Sequence, residues 1–203
     1  MPTKAKRPTD ATRPIERKPV LVDLALQGGG SHGAFTWGVL DRLLEDGRLA
    51  IEGLSGTSAG ALNAVMVADG LARGGPSQAR KRLADFWRAV SIDGNLPLMQ
   101  RKAIERLFSF VPVDSSALRA WFDTMSQYFS PYDLNPLNIN PLKEVIDSFV
   151  DFDALRRYAD LQVFVSATNV ITGRLRIFPR EKITADVVMA SACLPMVLSL
   201  IHI

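Results

Sequence analysis

The chain has 203 residues, 47% hydrophobic and 22% charged, which is enough to bury one core of ordinary size and makes a single domain the expectation. Of its formal net charge of +3, six basic residues against two acidic ones place +4 in residues 1–19, leaving −1 for the remainder. This charge marks a solvated, disordered basic tail rather than a nucleic-acid-binding face. No apolar stretch follows it before Val20, which excludes a secretory signal, and the single Cys193 excludes an internal disulfide and fits a reducing, cytoplasmic setting.

From Val20 the pattern alternates strand and helix. Val20–Leu26 is a short apolar strand, and Gly33–Glu45 is a helix expected to turn Phe35, Val39, Leu40, Leu43 and Leu44 to one face. Ile51–Ser55 is a second strand. Ala61, Leu62, Val65, Met66 and Ala68 then make a small-residue apolar helix, closed by Asp69-Gly70 and Gly74-Gly75-Pro76. Ser77–Val90 is a surface helix with Leu83, Phe86 and Trp87 inward. Ser91–Asn140 loosens into Pro- and Asn-punctuated short helices, in which Trp121, Phe122, Met125, Tyr128 and Phe129 recur at helical spacing, as a core stripe or an acyl-chain channel. Order resumes with a helix over Pro141–Val150, a strand over Leu161–Asn169, a partner strand over Gly173–Phe178 and a helix over Ile183–Cys193. Such alternation implies an α/β domain over residues 20–203 with a mostly parallel sheet. Val187–Ile203 lacks Asp, Glu, Lys and Arg, yet it is too short for a membrane span and contains Pro195.

Two glycine-framed turns carry the chemistry. Gly28-Gly29-Gly30-Ser31-His32-Gly33 follows the first strand, and Gly56-Thr57-Ser58-Ala59-Gly60 follows the second. A strand that delivers a serine into a sharp turn ahead of a helix is a nucleophile elbow. The helix beginning at Ala59 offers unpaired N–H groups and a positive dipole end beside Ser58, while the side-chain-free run Gly28–Gly30 brings further amides. Together they predict Ser58 as nucleophile, with Gly28, Gly29, Gly30 and Ala59 as an oxyanion hole. The rival reading of Gly28, Gly30 and Gly33 as a dinucleotide fingerprint fails at the second strand. That strand should end in an acidic residue, but it ends in Ser55-Gly56-Thr57-Ser58, with Glu52 at the opposite end. Two His and one Cys, unclustered, give no support for a metal, and no cofactor is expected.

These residues resemble the patatin-like phospholipases, in their bacterial forms. Leu26–Ala34 is similar to that family's glycine-rich loop and Gly56–Ala61 to its elbow. Val165-Ser166-Ala167-Thr168-Asn169 and Ala190-Ser191-Ala192-Cys193-Leu194-Pro195 resemble two further blocks, so that the likeness runs from about Val20 to Val197. The resemblance implies a three-layer α/β/α fold and hydrolysis of lipid acyl esters, phospholipid or acylglycerol, by a Ser-Asp dyad without histidine base or metal. It also implies a lipid substrate, and the Trp121–Phe129 stripe offers a peripheral contact with membrane. Gln27 and His32 depart from the commonest pattern, in which Asp and Arg stand, without removing a backbone donor.

The family's Asp-Gly turn after the Leu-Pro block has no counterpart before Ile203, and no Asp follows Asp186. Asp186 reads as a helix cap or first-turn residue, Asp23 as a strand residue facing solvent or paired structurally, and His32 as a polar cap of the loop. The sequence as written is therefore expected to lack its general base and to be incomplete at the C-terminus. Leu198–Ile203 matches the translation of a sequencing-library adapter, so these six residues are expected to be non-native. A catalytically silent lipid- or partner-binding module, and a Ser-His hydrolase using His32, are the alternatives. Cys193 reads as a buried, inert filler.

Overall fold

The computed structural model describes residues 18–91, 141–193 and 201. The basic tail up to residue 17, the Trp121–Phe129 stripe and the Leu194-Pro195 step all lie outside them. The described chain runs β1 (Val20–Leu26), a 3-10 turn (Gly30–His32), α1 (Gly33–Asp46), β2 (Leu49–Gly56), α2 (Ala59–Val90), α3 (Pro141–Phe149), α4 (Phe152–Arg157), β3 (Gln162–Thr168), β4 (Leu175–Pro179), a 3-10 turn (Arg180–Lys182) and α5 (Ala185–Ala192).

The four strands form one sheet in the order β1-β2-β3-β4, parallel except for the antiparallel β3–β4 pair. Successive parallel strands laid down in one direction, with crossovers of the usual right hand, put the intervening helices on one face. That face carries Leu24, Leu26, Leu54, Val163, Val165 and Ala167, packed into the core with Leu62, Val65 and Met66 of α2 and Val188 of α5. The opposite face, with Ala25, Ser55 and Phe164, is exposed among the described residues. The mixed α/β architecture of the patatin-like fold is thus present with its mostly parallel sheet. Among the described residues helices cover one face of the sheet, and a third layer is not among them.

The first half of α2 is buried on every side, from Ala59 to Gly70. Its small residues allow it to lie close beneath the strands, each buried aliphatic contributing about 1.5–3 kcal/mol. The helix breaks at Gly74 and Gly75, where Gly75 has φ +75°, and resumes over the sequence Pro76–Val90 with Leu83, Phe86 and Trp87 buried as expected. In α1 the expected face needs correction. Gly33, Leu40 and Leu44 are buried with Trp37 packed beside them, a stripe at i, i+4, i+7 and i+11, whereas Phe35 and Val39 fall outside that stripe and stand exposed. Helix α4 was not foreseen from the apolar pattern. Its signal is polar: Asp151 caps it by accepting from the amide of Ala154 at 2.9 Å.

Asp69, fully buried, ties the bent α2 together. Its carboxylate lies 3.1 Å from Arg82 and 3.6 Å from Arg73 and accepts the amide of Asp151 at 2.9 Å. The Arg82 contact is coulombic, its N–H being misaligned for a hydrogen bond. Asp69→Ala is therefore expected to cost about 3 kcal/mol, because it strands a largely buried guanidinium. Urea unfolding midpoints of the two proteins measure it, and a loss below 1 kcal/mol would show the network to be dispensable.

Candidate functional site

Both glycine turns leave the carboxyl ends of adjacent parallel strands, β1 and β2, and meet there. A Cβ placed on Gly28 would fall 3.1 Å from the Cβ of Ser58 and 3.0 Å from the carbonyl oxygen of Thr57. One on Gly60 would collide with the Leu26 carbonyl group, 2.6 Å from its carbon. The loop and the elbow therefore pass backbone against backbone at a separation that only glycine permits.

Ser58 adopts φ +56° and ψ −122°, the single non-glycine residue with positive φ among those described. Such a conformation costs about 1–3 kcal/mol and persists only where its surroundings over-determine it. They do so here on several sides. The Thr57 amide donates to the Leu26 carbonyl at 3.3 Å, and the Gly60 amide to the Thr57 carbonyl at 2.9 Å. The Thr57 hydroxyl bonds the hydroxyl of Ser166 on β3. The Ser58 amide donates to Ser191 Oγ of α5 at 2.8 Å. Ser58 itself is half-buried, so the strained residue remains open to approach.

The glycine loop is fixed from below. Asn63, fully buried one turn into α2, donates to the Gly33 carbonyl at 2.9 Å and accepts from Trp87 Nε1 at 2.8 Å. Gly33 sits against both the Trp87 ring and Ala59, where an added Cβ would meet them at 2.7 and 2.8 Å. Gly29 and Gly30 have φ +147° and +57°, and His32 closes the turn by donating its backbone amide to the Gly29 carbonyl at 3.1 Å with Nδ1 3.0 Å from the same oxygen. The amides of Gly28, Gly29, Gly30 and Ala59 make no hydrogen bond with the described residues. Four donors at two adjoining turns are thereby left for another acceptor.

The structure brings Gly28 and Ser58 together, and the candidate bases make their hydrogen bonds and ion pairs elsewhere. Asp186 is in the first turn of α5, 2.6 Å from Lys143, while Thr184 caps that helix by accepting from Val187 at 3.3 Å. Asp23 is exposed on β1 beside a bulge, against Gly53 of β2. His32 is exposed. Among the described residues, no three His, Cys, Asp or Glu side chains gather as a metal site.

Three supporting residues carried no assigned role in the sequence reading. Ser166 and Ser191 stand in motif blocks whose hydroxyls gave no sign of their partners, and Asn63 is one polar residue in an apolar helix, which is itself the usual mark of a buried hydrogen-bonding duty. Beside the elbow lies a cavity of about 390 Å³, lined by Thr57, Ser166 and Ser191 together with residues of the β3–β4 pair and Cys193. Cys193 is half-buried rather than fully buried, and burial pushes its thiol above the ordinary range.

Two outcomes follow from this geometry. Ser191→Ala leaves the Ser58 amide unpaired and is expected to lower stability by about 1–2 kcal/mol in denaturant unfolding, with Ser191→Thr restoring most of it. A raised thiol pKa means a smaller thiolate fraction at neutral pH, so alkylation of Cys193 should begin at higher pH in the folded protein than in urea. Equal onset in both would contradict the burial effect.

A family model described as Patatin-like phospholipase matches residues 24–203. A search of curated proteins finds no significant match to the sequence.

Proposed function

The chain belongs to the patatin-like phospholipase family, and from that premise we propose that it is a serine hydrolase of lipid acyl esters, phospholipid or acylglycerol, with Ser58 as nucleophile. The observation that carries the reading is the packing of Gly28 against Ser58 beside four unpartnered amides. Ser58 Oγ attacks the ester carbonyl as its proton passes to a base, giving a tetrahedral oxyanion. The amides of Gly28, Gly29, Gly30 and Ala59 donate to that oxygen, assisted by the positive end of the buried α2. Collapse expels the alcohol and leaves an acyl group on Ser58, which water then removes by the same route. Strain at Ser58 supports this reading, because positive φ at the elbow presents Oγ ahead of the strand rather than into the sheet.

The base is an aspartate in the dyad that the family resemblance implies. None of the described Asp residues joins the hydrogen bonds of the elbow, and His32 is held to the Gly29 carbonyl, which supports a base other than these groups. The substrate occupies the cavity beside Thr57 and Ser191, and the enzyme works from the cytoplasm. No described helix is long and apolar enough to cross a membrane.

In the full-length protein, a fluorophosphonate probe is expected to label Ser58, and Ser58→Ala to lower ester turnover by about 10³-fold or more with folding intact. His32→Ala is expected to retain most of the activity. Unchanged turnover in Ser58→Ala would overturn the assignment, and near-complete loss in a folded His32→Ala would transfer the role of base to the histidine.

A further inference from the structure

The turn joining β3 to β4 has an unusual combination of properties. Many of its polar groups satisfy one another: the Asn169 amide donates to the Arg174 carbonyl at 2.9 Å and the Gly173 amide to the Asn169 carbonyl at 2.8 Å. The amides of Ile171 and Thr172 and the Thr172 hydroxyl all donate to Asn169 Oδ1, at 3.1, 3.0 and 3.1 Å, and the Arg174 amide reaches Thr172 Oγ1 at 3.4 Å. The tip of this ordered turn is apolar. Val170 is 57% exposed and Ile171 is 91% exposed, where turn chemistry ordinarily places polar residues or glycine. Two exposed cations adjoin it, Arg174, which makes no ion pair among the described residues, and Arg176, whose guanidinium lies 4.8 Å from the Phe178 ring centroid.

Placement gives the combination meaning. Since β1, β2 and β3 are parallel, everything that follows them lies on one edge of the sheet, and the turn shares that edge with Ser58. Val170, Ile171 and Arg176 line the same cavity as Thr57 and Ser191. Phe35, 79% exposed in the first turn of α1, projects from this edge as well.

We propose that the β3–β4 turn docks the protein on an anionic phospholipid bilayer, with Val170 and Ile171 entering the interfacial region and Arg174 and Arg176 against lipid phosphates. The proposal deepens the lipid hydrolase reading, on which it rests for the use of the docked state. With the amides of Ile171, Thr172, Gly173 and Arg174 internally paired, the turn carries few orphan donors into a water-poor layer, which lowers the cost of entry for its apolar tip. Two aliphatic side chains and two cations give reversible, charge-dependent attachment, and the mouth of the cavity then faces the bilayer.

Cosedimentation of the full-length protein with vesicles tests this, using pure phosphatidylcholine and phosphatidylcholine with about 30% phosphatidylglycerol. The wild type is expected to partition to the anionic vesicles, and raised salt to weaken it. Ile171→Asp should reduce partitioning about tenfold or more, and Arg174→Glu about fivefold on anionic vesicles alone, each with an unchanged melting temperature because both side chains are exposed. Ser58→Ala should bind as the wild type does. Failure of the wild type to bind, equal binding by both turn variants, or a change of oligomeric state in Ile171→Asp without loss of vesicle binding would overturn the proposal. Wild-type binding without turnover of any ester would instead overturn the hydrolase reading and leave the docking surface standing.

Discussion

Everything at the site depends on two stretches of backbone touching where β1 and β2 end. Side chains normally hold neighbouring segments apart, and the Leu26–Gly28 and Gly56–Gly60 stretches dispense with them at the points of contact. Close approach brings main-chain dipoles from two separate loops to one place, which side chains on longer tethers achieve less rigidly. The parallel pairing of the strands matters equally, because it delivers both turns to the same edge of the sheet in the same orientation. A glycine loop on an antiparallel neighbour would emerge at the far side.

Contact alone would not hold a serine at positive φ. The elbow is secured by hydroxyl groups from two later elements, Ser166 of β3 and Ser191 of α5, while Asn63 and Trp87 set the height of the loop from the opposite side. These bonds satisfy polar groups that packing would otherwise leave unpaired, and their loss costs more than their formation gains. Geometry at the strained residue is thus set by the sheet, the first long helix and the last described helix together. The hydroxyls do this without adding charge beside the positive end of α2.

Much of the scaffold was legible in the sequence. Strand and helix order, the two glycine turns and the break at Gly74-Gly75 follow from periodicity and punctuation, which are local properties. What the sequence concealed is non-local. The spacing of Phe35 and Val39 suits an amphipathic face, but which stripe of a helix becomes the buried one is decided by Gly33, small enough to admit Trp87. Short α4 has little apolar periodicity, its start being fixed by the Asp151 cap and its place by the buried Asp69. The partnerships of Ser166 and Ser191 could not be read because a hydroxyl carries no signature of what it will bond across more than a hundred positions.

The bond from the Ser58 amide to Ser191 spans 133 positions. During synthesis, the strands and helix that carry the serine leave the ribosome well before the residue that completes its hydrogen bonding. At ordinary elongation rates of about 5–20 residues per second, the elbow waits several seconds for that partner. A nascent chain thus holds an elbow short of one hydrogen bond, and that bond forms with docking of the late helix rather than with translation of the serine itself.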